Sequence, residues 1–216
     1  TGQHAITTAS KYKNSKILAI DLSYNSLAYA KRKAKELNFT NINFIQGDLL
    51  DIKKLNKKFD IIESVGVLHH MRDPLIGWRS ITECLKNTSL MLIGLYSEKA
   101  RENISEIRKI IKNLKVKATR TDIINFRKDI FETRNTQWNS VKYSPDFYST
   151  SGVRDLLFHV QEHTFTIPKI KEYLKELNLY FLGFEDTYVI ERYKKIYVHP
   201  LDLYDLDKWE DFEQSN

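Results

Sequence analysis

Apolar positions along the first hundred residues alternate between two spacings. Lys16 to Ile20 is a short, mainly apolar run ending in Asp21, Ile42 to Gln46 is a second, followed by Gly47 and Asp48, and Phe59 to Ser64 is a third. Between the first two, Leu27, Ala30, Ala34 and Leu37 recur at helical spacing while Lys31, Arg32, Lys33 and Lys35 fall on the opposite side. With Ser23 as a cap, this predicts a helix from about Ser23 to Asn38. Asp73 and Pro74 open another helix, predicted through about Leu85, and Leu90 to Tyr96 supplies a fourth strand. Helix and strand in alternation predict a layered α/β fold, with a mostly parallel sheet and helices on both faces. The successive apolar residues of Phe59 to Ser64 predict an interior strand covered on both faces.

Beyond Ser97 the pattern changes. Ile104, Ile107, Ile111 and Leu114 form one stripe of a long helix, and no clear strand follows until Leu179 to Phe184, after a helix that starts near Pro168 with Ile170, Leu174 and Leu177 facing inward. Two polar helices finish the chain. The division expected is residues 1–97 as a ligand-binding part, 98–165 as a helical cap, and 166–216 as a helix, strand and helical tail that complete the domain. The chain opens on a Thr1-Gly2 turn into an amphipathic helix (Ile6, Ala9, Tyr12), with no strand before it. In a doubly wound sheet the first strand lies centrally, so the chain reads as a fragment cut inside its first loop, its first strand missing.

Composition narrows the classes. The 216 residues are 42% hydrophobic and 12% aromatic with only 7 Gly and 4 Pro, enough for one main globular domain and unlike a disordered or fibrous chain. The longest apolar run, Leu90 to Tyr96, is far short of the roughly 20 residues that span a bilayer. Cys84 is the single cysteine, so no intrachain disulfide can form, and a cytoplasmic location is expected. The net charge of +6 invites a nucleic-acid partner. Twelve Lys and Arg against five acids from Lys99 to Lys142, however, read as a solvated helical face, whereas the tail from Leu201 is acidic.

Three residues sit where an open α/β sheet places its ligand, at the carboxyl ends of strands. Gly2 lies in the first strand-to-helix turn, where a missing Cβ lets backbone approach a ligand. Asp21 ends the next strand, and its two oxygens can accept both hydroxyls of a ribose. Asp48 ends the strand after that, placed to accept from an adenine amino group. A strand-ending Asp also serves as a turn or helix cap, but the order and spacing of all three exceed what capping requires.

These motifs resemble those of the class I S-adenosylmethionine-dependent methyltransferases. Thr1-Gly2-Gln3-His4 looks like the tail of their Gly-rich first motif, Ala19-Ile20-Asp21-Leu22-Ser23 like the second, and Gln46-Gly47-Asp48-Leu49 like the third. Phe59-Asp60-Ile61-Ile62-Glu63-Ser64-Val65-Gly66-Val67-Leu68-His69-His70 resembles the fourth. The resemblance implies a Rossmann-like fold with S-adenosylmethionine as cofactor. It also implies Asp21 on the ribose, Asp48 near the adenine amino group, and Leu22, Leu49, Ser64 and Val65 lining the pocket. The stretch from Ser149 to His163 is similar to a bacterial branch whose members often carry tetratricopeptide repeats upstream. Lys86-Asn87-Thr88-Ser89 stands where Lys-Pro-Gly-Gly is common, and Asn87 accepts turn geometry there.

His69 and His70 follow the fourth motif as candidate general bases, against the plainer reading of packed histidines. His159, Glu162 and His163 form a second polar cluster. On a continuous helix His159 and His163 would share one face as two ligands do, yet no third ligand and no full His-Glu-x-x-His order are present, so a substrate contact is expected and no metal. The cap, with Trp138, Tyr143 and Tyr148, is expected to choose a small-molecule or protein acceptor. Two rivals stand beside this reading. A nicotinamide dehydrogenase also pairs a Gly-rich turn with an acid about 20 residues on, but Asp48 and the Val67-Leu68-His69-His70 loop argue against it. A non-catalytic scaffold could act on RNA through the basic middle segment, which the presence of both Asp21 and Asp48 disfavours.

Overall fold

The computed structural model describes residues 2–133 and 138–215 and divides into two compact units, one ending at Gly94 and the other starting at Leu95. The boundary thus falls slightly before the expected one, and the expected cap and tail share one unit.

The first unit contains α1 (Gln3–Lys11), β1 (Ile17–Asp21), α2 (Tyr24–Glu36), β2 (Ile42–Gln46), β3 (Phe59–Val65), α3 (Pro74–Thr82) and β4 (Leu85–Gly94). The caps read from sequence are formed. Ser23 Oγ accepts from the Ser26 N–H at 3.2 Å, and Asp73 Oδ1 accepts from the Leu75 and Ile76 N–H groups at 3.0 and 3.2 Å, with Pro74 opening α3. A 3₁₀ segment, Leu49–Leu55, which the apolar pattern did not suggest, follows β2 and buries Ile52.

The strands are parallel, as expected, but they form two pairs. β1 pairs with β2 residue for residue from Ile17↔Ile42 to Asp21↔Gln46, and β3 pairs with β4. Among the described residues no strand joins β1 to β3. Helix α1 touches both pairs: the Asn41 side-chain amide donates to the Ala9 and Tyr12 carbonyls, each at 3.1 Å, and Thr8 Oγ1 donates to Glu63 at 2.8 Å. Ala9, Ala34 and Ile42 are buried together behind α1 and α2.

The expectation that β3 is covered on both faces fails on one of them. Ile61, Glu63 and Val65 share a face, and Ile61 and Val65 remain 53% and 45% exposed. An apolar run reports which residues favour burial, not what lies opposite them. In β4, pairing jumps from Phe59↔Leu85 to Ile61↔Leu90, so the stretch expected to be a turn is an irregularity within the strand, with Thr88 in the left-handed region at φ 60°.

The second unit is helical: α4 (Glu102–Asn113), α5 (Arg120–Glu132), α6 (Asn139–Lys142), α7 (Thr150–Phe158), α8 (Ile167–Glu176), α9 (Thr187–Lys194) and α10 (Leu206–Ser215). One core gathers Ile107, Ile123, Ile130, Phe147 and Val153 from the first four helices and their connections. The other is aromatic: Tyr193 stacks on Trp209 with centroids 3.7 Å apart, and its hydroxyl donates to the Asp202 carbonyl at 2.8 Å. Burial pushes the Tyr193 hydroxyl up to about 12, and the nearby Asp202 adds to the effect.

Leu179 to Phe184 is not a strand. Tyr180 and Leu182 point outward, 86% and 63% exposed, and Phe184 packs on Trp209 with centroids 4.8 Å apart, so side-chain contacts hold the segment without a pairing edge. No helix among the described residues is long and apolar enough to cross a membrane.

Candidate functional site

The parallel pairing of β1 and β2 brings Asp21 and Asp48 to the same rim. Asp21 is the last residue of β1 opposite Gln46, its carbonyl accepts from the Gly47 N–H at 3.2 Å, and Asp48 is the next residue. Both carboxylates also cap. Asp21 Oδ1 accepts from the Ser23 N–H at 2.8 Å, and Asp48 Oδ1 accepts from the Leu50 N–H at 2.9 Å. A carboxylate has about four acceptor sites, so capping and ligand binding are not alternatives here. Each cap occupies one oxygen, and the other has no hydrogen-bond or ion-pair partner among the described residues.

The neighbouring positions divide by exposure. Leu22 is 66% exposed beside Asp21, and its carbonyl accepts from the Gln46 side-chain amide at 3.1 Å, which ties the two strand tips together. Leu49 is half-buried where the 3₁₀ segment begins. Toward the end of β3, Ser64 is buried, and its Oγ has no hydrogen-bond partner among the described residues. Val65 is exposed, and Gly66, at φ 76°, has no atom within 4 Å of where a Cβ would stand.

Gly2 has a packing role of its own. It caps α1 at φ 78°, and a Cβ there would lie 2.3 Å from the Cβ of Ala30, so its missing side chain lets α1 and α2 pack closely. The two histidines also separate. His69 is 1% exposed, packed edge-on against His70 with ring centroids 4.3 Å apart, whereas His70 is half-buried. A histidine so enclosed does not present a ring nitrogen to a substrate.

Glu63, an acid inside an apolar strand, has a role that its place in the fourth motif did not indicate. It accepts from Thr8 Oγ1 and lies 3.1 Å from His4 Nε2, fixing α1 to β3.

In the second unit the expected substrate cluster is built otherwise than the sequence suggests. Helix α7 ends at Phe158, so His159 and His163 do not share a helical face. The reason is a side chain from α4. Arg108 donates to the Leu156 carbonyl at 2.8 and 3.0 Å and to that of Asp155 at 3.2 Å, satisfying carbonyls that another helical turn would otherwise bond. Arg108 also donates to Glu162 at 2.9 Å, and Arg101 lies 3.9 Å from the same carboxylate, whose side chain is 4% exposed. The Arg101 guanidinium lies 3.4 Å from the centre of the Tyr96 ring, and burial pushes the Tyr96 hydroxyl above its ordinary range. Glu162 is therefore consumed by internal ion pairs. His159 Nδ1 accepts from the Gln161 N–H at 3.2 Å, and His163 lies 3.5 Å from the Gln161 amide. Tyr143 and Tyr148 are 84% and 64% exposed, while Trp138 packs on the helical core.

Comparison with known proteins adds a family. A model described as a methyltransferase domain matches residues 1–149. An uncharacterized protein of Synechococcus sp. is 27% identical over 181 residues, which are 80% of this chain and 43% of that protein. A release factor glutamine methyltransferase of Buchnera aphidicola is 36% identical over 116 residues, 53% of this chain and 38% of the relative. The structure of PKMT2 from Rickettsia typhi superposes with a TM-score of 0.67 at 16% identity, covering 98% of this chain and 44% of that one. A second structure of that protein, in complex with AdoHcy, gives 0.62 at 17% identity, covering 96% and 43%. The chain thus spans less than half the length of these relatives, and the structural likeness is one of fold.

Proposed function

The chain belongs to the methyltransferase-domain family, and on that footing we propose that it holds S-adenosylmethionine at the strand ends of its first unit and serves transfer of the methyl group to an acceptor. One observation carries the reading: Asp21 and Asp48 stand at adjacent strand tips on one rim, each with a carboxylate oxygen that its own backbone leaves unused. The residues present fit the cofactor. The unused oxygen of Asp21 suits ribose hydroxyls and that of Asp48 suits an amino group, both as charge-assisted bonds. Leu22 and Leu49 supply apolar surface beside them. The buried Ser64 hydroxyl, without a hydrogen-bond partner among the described residues, and the open space over Gly66 suit the polar methionine end.

When bound, the sulfonium supplies a methyl carbon open to direct displacement. The chain's part is then to bind and align, which accounts for most of the acceleration such a reaction needs. His70 is the more accessible of the two histidines, which supports it over His69 as the group that takes a proton where the acceptor carries one. A cytoplasmic location belongs to the same reading, consistent with a lone buried Cys84.

Equilibrium binding of radiolabelled S-adenosylmethionine to the longest natural polypeptide containing this chain tests the proposal. It predicts saturable binding displaced by AdoHcy and not by NAD. Saturable NAD binding with none for the sulfonium would replace it with a dehydrogenase. No cofactor binding, together with RNA affinity that falls steeply with salt, would replace it with a scaffold.

A further inference from the structure

A groove of about 870 Å³ runs between α2 and the outer edge of β2. The pairing pattern shows which backbone groups face it. The Asn41 carbonyl accepts from Ile17 N–H and the Gly47 N–H donates to the Asp21 carbonyl, so alternate residues 41, 43, 45 and 47 address β1. Ile42, Phe44 and Gln46 therefore turn their N–H and C=O groups to the opposite edge, where no strand pairs among the described residues.

The charges over this edge carry one sign. Lys31 and Lys35 line the groove one helical turn apart, both exposed, and neither has an ion-pair or hydrogen-bond partner among the described residues. Glu36, the nearby acid, is already shared by Lys33 at 2.7 Å and Arg32 at 3.5 Å, and no Asp or Glu lines the groove. Side chains at i and i+4 of a helix are about 6 Å apart along its axis, and alternate side chains of an extended strand about 6.6–6.8 Å. One strand laid on the edge would thus present every second side chain to successive lysines.

We propose that this groove binds an extended acidic peptide, which adds to the edge of β2 as a third strand and sets acidic side chains at alternate positions against Lys31 and Lys35. Main-chain bonds supply affinity and the lysines supply choice of sequence. The site is separate from the proposed cofactor residues and stands whether or not those bind a cofactor. Lysines on an edge also serve to repel strands, and the experiment distinguishes the two roles.

The probe is a fluorescein-labelled peptide of four Val-Glu repeats, followed by anisotropy in low salt. Expected are saturable binding, loss of at least tenfold in affinity for the double variant Lys31→Glu, Lys35→Glu, and no change for Lys112→Glu. The same peptide with alternate backbone amides methylated, tested on the unaltered chain, should bind at least tenfold more weakly. Equal binding of the methylated peptide, or no binding of either, would overturn the proposal and leave the lysines as edge protection. Tighter binding of single-stranded RNA than of the peptide, abolished by the same two substitutions, would overturn it in favour of nucleic acid.

Discussion

Asp48 and Glu162 are both carboxylates that the sequence offers as site residues, and their surroundings give them opposite roles. Asp48 sits exposed on a strand tip, one oxygen bonded to its own turn and the other available. Glu162 is enclosed, with one guanidinium hydrogen-bonded to it and a second nearby. The first unit thus keeps acceptor capacity at its rim, whereas the second spends its charge on holding helices and a chain crossing together. A charged side chain marks a ligand site when the local fold leaves part of its bonding capacity unused.

The largest expected effect is in the second unit. Glu162→Ala leaves Arg108 and Arg101 with uncompensated charge and should cost about 3–5 kcal/mol. Urea denaturation monitored by tryptophan fluorescence measures it, and a loss below about 1 kcal/mol would make Glu162 as dispensable as a surface acid. In the first unit, Gly2→Ala forces a Cβ onto Ala30 at a left-handed position and should cost about 2–4 kcal/mol by the same measurement.

Tyr193→Phe removes a buried hydrogen bond and should cost about 1 kcal/mol near neutral pH. Because the folded hydroxyl titrates at about 12 and the unfolded one near 10.0, the folded chain holds more protons between those values. Its contribution is full below the unfolded value and falls as pH rises toward the folded one. Denaturation at about pH 8 and about pH 11 should show a decline in stability that Tyr193→Phe reduces. Smallest is Thr88→Gly, which relieves a left-handed β-branched residue and should stabilise by about 0.5–1 kcal/mol, read as a rise in Tm.

Elements with local causes were legible in the sequence. The Ser23 and Asp73 caps, the helical stripe of α2 and the Ile42–Gln46 run all act within a few residues, and the structure forms them where the pattern puts them. The parallel register that carries Asp21 and Asp48 to one rim follows from the same alternation. What sequence did not reveal depends on distant partners. Helix α7 stops at Phe158 because Arg108, 48 residues from Leu156, takes its carbonyls. Leu179 to Phe184 has strand-like spacing but forms no strand, because its Phe184 is held on Trp209 by side-chain packing, and Gly2 is required by Ala30 on another helix. His69 and His70 are adjacent in sequence, and only packing tells the enclosed ring from the accessible one.

The central claim is that the Asp21 carboxylate contacts the nucleoside of the cofactor. Calorimetric titration of AdoHcy into the longest natural polypeptide containing this chain, unaltered and as Asp21→Ala, tests it most directly. The account predicts a loss of about 1–3 kcal/mol, roughly 5- to 150-fold in Kd, with the circular dichroism spectrum unchanged. Equal affinity for the two proteins, both folded, would contradict it.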